Sequence, residues 1–490
     1  MDVSRDASTL VAYGVSREII DPLDEDWAYN RVLEAVGALG PEPLRDGDGR
    51  IRADEGVDVT EGEADFPLMG LLGRLADAAV ANGVAADTAQ GRDIAAMRVA
   101  GALMARPSEI AHRFGVVEWE SGVTAATDWF YKLCCDVGYV RREAIARNVG
   151  WTTPTRWGEL EITINKSKPE KDPRDIAAAG AAKAGGEVYP ACQLCMENEG
   201  YPGRMASSGL GEHPARQNLR IIPIELGGER WGLQYSPYAY FEEHCIAMSR
   251  EHRLMHVDQG NMGRLLDFVD RFPHYFVGSN ADIPIVGGSI LSHDHFQGGR
   301  HVFPLMRATA SEAFAMDAYP NVGCEVLEWP LTVLRLTAPE ASRAELLDAA
   351  GHVFASWDVW GDESVGVVCE EFDEAGVRTR HNTVTPVARK LADGRYELLL
   401  ALRCNITSEE HPLGVFHPHE DKWHVKKENI GLIEVMGLAI LPPRLEAELD
   451  AGTLTRDQIG QVFAGVLEDA GVYKWDEAGR AALGRFLDSL

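Results

Sequence analysis

Apolar residues recur along the chain in two different rhythms, which separate a helical first part from a strand-rich remainder. Up to about residue 155, apolar residues are spaced three and four apart, as in RVLEAVGAL (31–39), FPLMGLLGRLADAAVANG (66–83) and GRDIAAMRVAGALMA (91–105). This spacing places apolar side chains on one face of a helix. We therefore predict that residues 1–155 are mainly helical.

The pattern changes near residue 155 to short runs rich in β-branched residues. A first strand-rich region contains LEITIN, NLRIIPIEL, HCIAMS and YFVGSN, and a second contains EVLEWPLTVLRL, SVGVVCEEF, YELLLALRC and IGLIEVMGLAIL. Such runs, bounded by Gly, Pro and Asn, are typical of strands. Each region ends with a His-x-His pair, at residues 293–295 and 417–419, and this parallel suggests two related halves. An amphipathic helical pattern returns after residue 442.

The composition is that of an ordinary globular chain. Hydrophobic residues make up 45% of the 490 positions and charged residues 25%, which excludes disorder as the main state. Eight cysteines are too few in so long a chain for a disulfide scaffold. The first residues, MDVSRDASTL, lack the basic and apolar segments of a secretion signal. We therefore predict a cytoplasmic location.

The charge balance limits the partners. With 47 basic and 76 acidic residues the formal net charge is −29, which disfavours binding to nucleic acid or to an anionic membrane surface. The longest apolar stretch, 430–441, contains Glu434 and is shorter than the roughly 20 residues that cross a bilayer. Any phosphate-bearing ligand must therefore be met by a local cluster of Arg, Lys and backbone N–H groups.

The sharpest chemical signal is the segment IVGGSILSHDHFQGGR (285–300). In an extended strand His293, His295 and Gln297 would project to one side. Glycines before and after them, at 287, 288, 298 and 299, allow a ligand to approach the backbone and to accept from its N–H groups. A neutral imidazole can attack phosphorus, and the phosphoramidate formed can pass the group to a second acceptor. The alternative is a set of strand histidines whose hydrogen bonds are satisfied within the protein.

Two further clusters carry possible chemistry. Cys192 and Cys195 have the spacing that lets two thiolates reach one Zn²⁺ ion, and His252 and His293 would complete the shell. A redox pair, or two unconnected thiols, are the alternatives.

Lys426 and Lys427 follow a His-rich stretch in a chain with few lysines, so they mark a local positive spot suited to a phosphate. The alternative there is a solvated turn before a buried strand.

Several long strings together resemble one family. They are LEITINKSKPEKDP, CQLCMENEGYPGR, HDHFQGGRHVFP, HNTVTPVARK, CNITSEEHPLGVFHPH and KKENIGLIEVMGLAILP. In this order, between about residues 155 and 445, they are similar to the class II galactose-1-phosphate uridylyltransferases of bacteria, members of the histidine-triad superfamily. The resemblance implies an α+β fold with two histidine-triad-like halves built on antiparallel sheets. The halves would span 156–320 and 321–445, after the helical region 1–155 and before a helical tail at 446–490.

The resemblance also implies a reaction. His295 would attack the α-phosphorus of UDP-glucose, glucose 1-phosphate would leave, and galactose 1-phosphate would take UMP from the enzyme to form UDP-galactose in a ping-pong exchange. His293 would belong to the catalytic set, and the Gln297 amide would steady the uridylyl phosphate. Further substrate contacts are expected from Asn280, Gly298, Gly299, Arg300, Lys426 and Lys427.

Cofactor and assembly follow from the same resemblance. Cys192, Cys195, His252 and His293 match the ligands of a structural zinc ion in the class I branch, and no organic cofactor is implied. The relatives are usually homodimers. The preferred hexose 1-phosphate, galactose or an N-acetylated hexose, stays open.

Two other functions compete with uridylyl transfer. A nucleotide phosphorylase or hydrolase of the same superfamily would use phosphate or water as the acceptor, and a non-catalytic protein would only bind nucleotides. Gln297 disfavours hydrolysis, because an uncharged amide gives water no acid–base group. His295 disfavours a mere binder, which has no need of a nucleophile.

Overall fold

The computed structural model describes residues 2–60, 66–166, 188–208, 210–288, 290–373 and 375–490. The string LEITINKSKPEKDP therefore lies only partly within them, since residues 167–173 fall outside. Two compact units divide the chain. Unit 1 comprises Met1–Ala146, Glu187–Ile224 and Gly232–Ala239, and unit 2 comprises Arg147–Gly186, Glu225–Trp231 and Tyr240–Leu490.

Unit 1 begins with a series of helices. They are α1 (Val3–Ser16), α2 (Glu25–Val36), α3 (Leu68–Ala81), α4 (Ala89–Gly101), α5 (Pro107–Ser121), α6 (Val123–Asp136) and the short α7 (Arg142–Ile145). In α3 the residues Leu68, Leu71, Leu72 and Leu75 are all buried, which is the three-and-four spacing expected of a helix that packs on one side. The prediction of a mainly helical N-terminal region is confirmed.

The described residues contain fifteen strands. They are β1 (Val149–Thr155), β2 (Gly158–Ile164), β3 (Ile222–Leu226), β4 (Glu229–Tyr235), β5 (Cys245–Ser249), β6 (Phe276–Gly278), β7 (His295–Gly299), β8 (Ala310–Phe314), β9 (Gly323–Leu327), β10 (Val333–Ala338), β11 (Glu370–Phe372), β12 (Arg378–Arg380), β13 (Asn382–Lys390), β14 (Tyr396–Cys404) and β15 (Leu438–Leu441).

The strands of unit 2 form a large antiparallel sheet and two smaller ones. In the large sheet the order from β5 onward is β5-β7-β6-β13-β14-β10-β9-β8. Every neighbouring pair in that series is antiparallel. A second sheet has the order β1-β2-β15, in which β15 runs parallel to β2. β11 and β12 form a separate hairpin.

Among the described residues of unit 2 there are six further helices. They are α8 (Gln259–Arg271), α9 (Arg343–Asp358), α10 (Leu432–Val435), α11 (Arg444–Asp450), α12 (Arg456–Ala470) and α13 (Glu477–Leu487). α8 and α9 contact β13, and α12 packs on β1, where Gly460 leaves room for the side chain of Thr153. The predicted α+β class with antiparallel sheets is confirmed. The domain boundaries at residues 155, 320 and 445 stay a prediction.

Two expectations about local structure are changed. The strand that carries the histidines begins at His295, so His293 precedes it in a bend and the alternation argument holds only for His295 and Gln297. The apolar stretch 430–441 is divided between α10 and β15. Across the described ranges no helix combines the length and apolarity that crossing a membrane requires.

Candidate functional site

The candidate site is centred on β7, which lies between β5 and β6 in the sheet of unit 2. Its glycines are explained by contacts within the protein. A Cβ at Gly298 would lie 2.5 Å from the backbone oxygen of Phe276 on β6. Gly299 has a φ of +153°, and a Cβ there would lie 2.8 Å from the backbone oxygen of Glu243. Both positions therefore exclude a side chain before any ligand is considered.

His295 is oriented by a backbone contact. Its ring Nδ1 lies 2.8 Å from the carbonyl oxygen of His293, a geometry in which Nδ1–H donates. The neutral ring then carries its lone pair on Nε2. Burial lowers the pKa of His295 from its ordinary 6.5 to about 4. The ring is therefore neutral near pH 7, the form that can act as a nucleophile.

The main chain just before β7 is held by contacts between Asp294 and Arg253. Asp294 accepts from the Arg253 guanidinium at 3.1 Å, and Arg253 also pairs with Glu229 at 2.6 Å. The backbones bond as well, since the N–H of Asp294 donates to the oxygen of Arg253 at 2.8 Å. These contacts of Asp294 anchor the segment that carries His295.

Gln297 has a partner that the sequence analysis did not name. The Nε2 of His244 lies 3.0 Å from the Oε1 of Gln297, and His244 is buried. Ile246 on β5 pairs with Gln297, so His244 lies one step further along on the same face of the sheet. The available signal was the position of His244 directly before the strand-like run CIAMS, but nothing in the sequence pairs that run with β7.

Among the remaining predicted substrate contacts, Arg300 and Asn280 lie at the ends of β7 and β6. The Oε1 of Glu243 lies 3.1 Å from the Nε of Arg300 at the end of β7. Asn280 follows β6, and its Oδ1 accepts from the backbone N–H of Leu432 at 2.8 Å. Gly278 on β6 pairs with Gln297 on β7, and continuing this antiparallel register by two residues places Asn280 opposite His295. Arg300 is thus paired with Glu243, and Asn280 is bonded to the backbone of Leu432.

The two lysines are arranged differently. The buried ammonium of Lys426 lies 2.9 Å from a carboxylate oxygen of Glu434 and 3.6 Å from one of Glu428. Burial opposes the charge, but these two carboxylates hold the pKa of Lys426 above its ordinary value. Lys427 lies over the ring of Trp423, with Nζ 5.0 Å from the centroid. The charge of Lys426 is thus already neutralised, and its contacts support a structural role.

The predicted metal ligands are preformed as two pairs. In unit 1 the sulfur atoms of Cys192 and Cys195 lie 3.5 Å apart, close to the roughly 3.8 Å that two thiolates on one tetrahedral Zn²⁺ would show. The N–H of Leu194 donates to the Cys192 sulfur at 3.3 Å, and Asn198 donates to both cysteine carbonyls at 2.8 Å. These contacts suit a thiolate pair held for a metal.

In unit 2 the rings of His252 and His293 have centroids 4.9 Å apart. The Nε2 of His293 lies 2.9 Å from the carbonyl oxygen of Ser249, so Nε2–H donates and Nδ1 keeps the lone pair. A histidine that binds a metal commonly donates its other ring N–H to a carbonyl in this way. Both pairs consist of side chains that could hold a metal ion.

Comparison with known proteins shows the family. A family model described as galactose-1-phosphate uridyl transferase, N-terminal domain, matches residues 58–253, and its C-terminal domain counterpart matches 268–456. A galactose-1-phosphate uridylyltransferase of Bacillus subtilis (strain 168) is 41% identical, with 100% of this chain and 98% of that protein covered. This chain belongs to the galactose-1-phosphate uridylyltransferase family.

Other members of the galactose-1-phosphate uridylyltransferase family are similar to a comparable degree. The protein of that name from Halalkalibacterium halodurans is 42% identical over 98% of this chain and 97% of its own length. The one from Caldanaerobacter subterraneus subsp. tengcongensis is 42% identical over 88% and 90%. A solved yeast Ap4A phosphorylase, Apa2, covers 68% of this chain and 96% of that one at 11% identity, with a TM-score of 0.36. That score is too low to support a structural argument.

The two family models also place the predicted residues. The uridyl transferase N-terminal model includes Cys192, Cys195 and His252, whereas the C-terminal model includes His293 and His295. The two models follow one another along the chain, at residues 58–253 and 268–456.

Proposed function

We propose that this chain transfers UMP between UDP-glucose and galactose 1-phosphate, with His295 as the residue that carries UMP in between. Family membership over the full chain supports the reaction. The observation that carries the role of His295 is its ring: buried, neutral near pH 7, and bonded through Nδ1 to the His293 oxygen. This tautomer leaves Nε2 as the nucleophilic atom.

The proposed exchange has two balanced steps. Nε2 of His295 attacks the α-phosphorus of UDP-glucose, a P–N bond forms, and the bond to the bridging oxygen breaks so that glucose 1-phosphate leaves. A phosphate oxygen of galactose 1-phosphate then attacks the same phosphorus, the P–N bond breaks, and UDP-galactose leaves. The Nδ1 proton stays on the ring throughout, and the His293 oxygen stabilises the positive charge that develops there.

Gln297 is proposed to steady the phosphoryl group during both steps. Its carbonyl oxygen is engaged by His244, so its Nε2 hydrogens are the end of the amide available to a phosphate oxygen. An amide donates hydrogen bonds without exchanging a proton with water, which favours a sugar phosphate over water as the acceptor. Arg300 and Asn280 are proposed as further substrate contacts, together with the backbone at Gly298 and Gly299.

We also propose a structural zinc ion held by Cys192, Cys195, His252 and His293. Two thiolates and two imidazoles complete a closed tetrahedral shell, which gives the ion a supporting role and leaves no position for substrate. The contact between His293 and the Ser249 oxygen supports this proposal, because it directs the Nδ1 lone pair to the metal. We further propose that the protein is a homodimer, as the resemblance implies, and that it is located in the cytoplasm.

The test is a half-reaction. The purified protein is incubated with UDP-glucose labelled in the uridine, without any sugar 1-phosphate acceptor. We expect one uridylyl group per chain, bound in an acid-labile form, and an equal amount of released glucose 1-phosphate. Galactose 1-phosphate should then discharge the label as UDP-galactose. Product that forms only when both substrates are present together, with no labelled protein, would contradict a covalent intermediate.

A further inference from the structure

His244 occupies a place that the exchange reaction does not by itself explain. It lies just before β5 and is buried, and its ring packs against that of Phe241 in a tilted arrangement, with centroids 4.4 Å apart and planes 34° apart. Its Nε2 lies 3.0 Å from the Oε1 of Gln297. An aromatic contact on one side and a hydrogen bond on the other thus hold the ring in one position.

The backbone next to His244 is held in a strained conformation. The preceding residue, Glu243, has a φ of +52°, a conformation that residues with a side chain seldom adopt. Its carboxylate accepts from the hydroxyl of Tyr275 and pairs with the guanidinium of Arg300 at 3.1 Å. Strain of this kind persists where the surroundings determine the conformation, and it concentrates at functional sites.

The same turn packs directly on β7. The N–H of Arg300 donates to the oxygen of Glu242 at 3.3 Å. Gly299 lets the turn approach, because a Cβ there would lie 2.8 Å from the Glu243 oxygen and 3.0 Å from the Glu242 oxygen. The glycine and arginine that end the HDHFQGGR motif therefore fix the turn that presents His244.

We propose that His244 is a positioning residue that sets which end of the Gln297 amide faces the phosphate, an inference that rests on the proposed function. The two ends of an amide have nearly the same size, so packing alone does not distinguish them. With Nε2–H of His244 donating to Oε1, the Nε2 hydrogens of Gln297 are directed to the other side. Without this bond, the amide turns its carbonyl oxygen to the phosphate in part of the molecules and repels it.

Three variants at this position separate orientation from packing. His244→Phe keeps a flat ring on Phe241 but removes the donor, and we expect uridylylation by UDP-glucose to slow by between about tenfold and a hundredfold, with the change in kcat and not in KM. In His244→Gln the side-chain nitrogen reaches the place of Nε2, and this variant should recover most of the rate. The shorter His244→Asn should not.

A double-variant cycle provides the decisive measurement. If His244 acts through Gln297, His244→Phe should have no further effect in a Gln297→Ala background, where there is no amide to orient. Equal rate losses in both backgrounds, or a wild-type rate in His244→Asn, would overturn the proposal. Thermal unfolding of each variant shows the folded fraction, and the Gln and Asn variants keep the test available should the Phe variant unfold.

A failure of the proposed role of His244 can be distinguished from a failure of the proposed function. The labelled half-reaction is measured first with the wild-type protein. If the wild type forms no uridylyl-protein, the proposed function fails before any variant is made. If it does and the cycle shows additive effects, only the role of His244 fails.

Discussion

The ring Nδ1 of His295 lies 2.8 Å from the backbone oxygen of His293. Through this single contact, the residue proposed to bind the metal determines the tautomer of the residue proposed to attack phosphorus. The ring of His293 is itself bonded to the Ser249 oxygen on β5. Anything that fixes His293 therefore also fixes the direction of the Nε2 lone pair of His295.

Replacement of the proposed nucleophile should abolish the covalent intermediate. In His295→Ala we expect no uridylyl-protein and an exchange rate lower by more than about a thousandfold, because no other group takes the phosphoryl transfer. Intact-mass measurement after incubation with UDP-glucose checks this. His424→Ala, which removes an exposed histidine of the same unit, is the matched control and should form the adduct normally. An undiminished adduct in His295→Ala would assign the role elsewhere.

Gln297→His should increase hydrolysis. An imidazole at this place can relay a proton to and from water, whereas the amide cannot. We expect the share of UDP-glucose that is hydrolysed to UMP and glucose 1-phosphate to rise relative to exchange. Both products are quantified by chromatography with and without galactose 1-phosphate. Wild-type protein that hydrolyses UDP-glucose as fast as it exchanges would instead support the hydrolase alternative.

Loss of one thiol should affect metal content, stability and activity together. Cys192→Ser is expected to lower bound zinc, the midpoint of thermal unfolding and the exchange rate, in the same manner as a chelator. Elemental analysis and thermal unfolding provide the readouts. Cys324→Ser serves as the control, since that buried thiol lies on β9 and donates to the Val322 oxygen. Purified active protein that contains no zinc or iron would reject the metal site.

Lys426 should prove to be a structural residue. Lys426→Met removes the partner of Glu434, a carboxylate whose side chain is only 12% exposed, and leaves it without its 2.9 Å contact. Breaking such a buried pair costs about 3 kcal/mol or more, so the free energy of unfolding should fall while the KM for sugar phosphate changes little. Urea unfolding and steady-state kinetics separate the two. An unchanged stability with a raised KM would restore the phosphate-binding role predicted from the sequence.

Acid should destabilise the fold partly through His417. Burial, with the nearby Arg403 and His419 charges, lowers its pKa from 6.5 to about 4, although the Pro418 oxygen and Asn429 side chain favour the charged ring. Between these values the unfolded chain binds more protons than the folded one. The free energy of unfolding therefore falls as the pH drops from 6.5 to about 4, by on the order of 3 kcal/mol in total.

The comparison of His417→Gln with the wild type measures this contribution. A glutamine does not titrate, so urea unfolding of the variant should depend less steeply on pH across that interval. His424→Ala removes an exposed histidine and should keep the wild-type slope. Parallel slopes in wild type and His417→Gln would show that His417 titrates alike in both states.

The sequence alone determined the features that depend on residues close together in the chain. The spacing of apolar residues is enough to predict a helix such as α3, because the backbone hydrogen bonds and side-chain contacts of a helix join residues three and four positions apart. HDHFQ and Cys192-x-x-Cys195 could be recognised for the same reason. The family followed from long strings in order, each of them local.

Only the tertiary structure decided the features that depend on strand pairing. It brought β5 beside β7 and thereby His244 to Gln297, residues that are 53 positions apart. It also placed a carboxylate oxygen of Glu434 2.9 Å from the ammonium of Lys426, which the sequence predicts to contact a phosphate. His293 likewise lies outside the strand, in a bend where its ring bonds to the Ser249 oxygen. The register of a sheet depends on contacts between distant segments, and no local pattern of residues contains it.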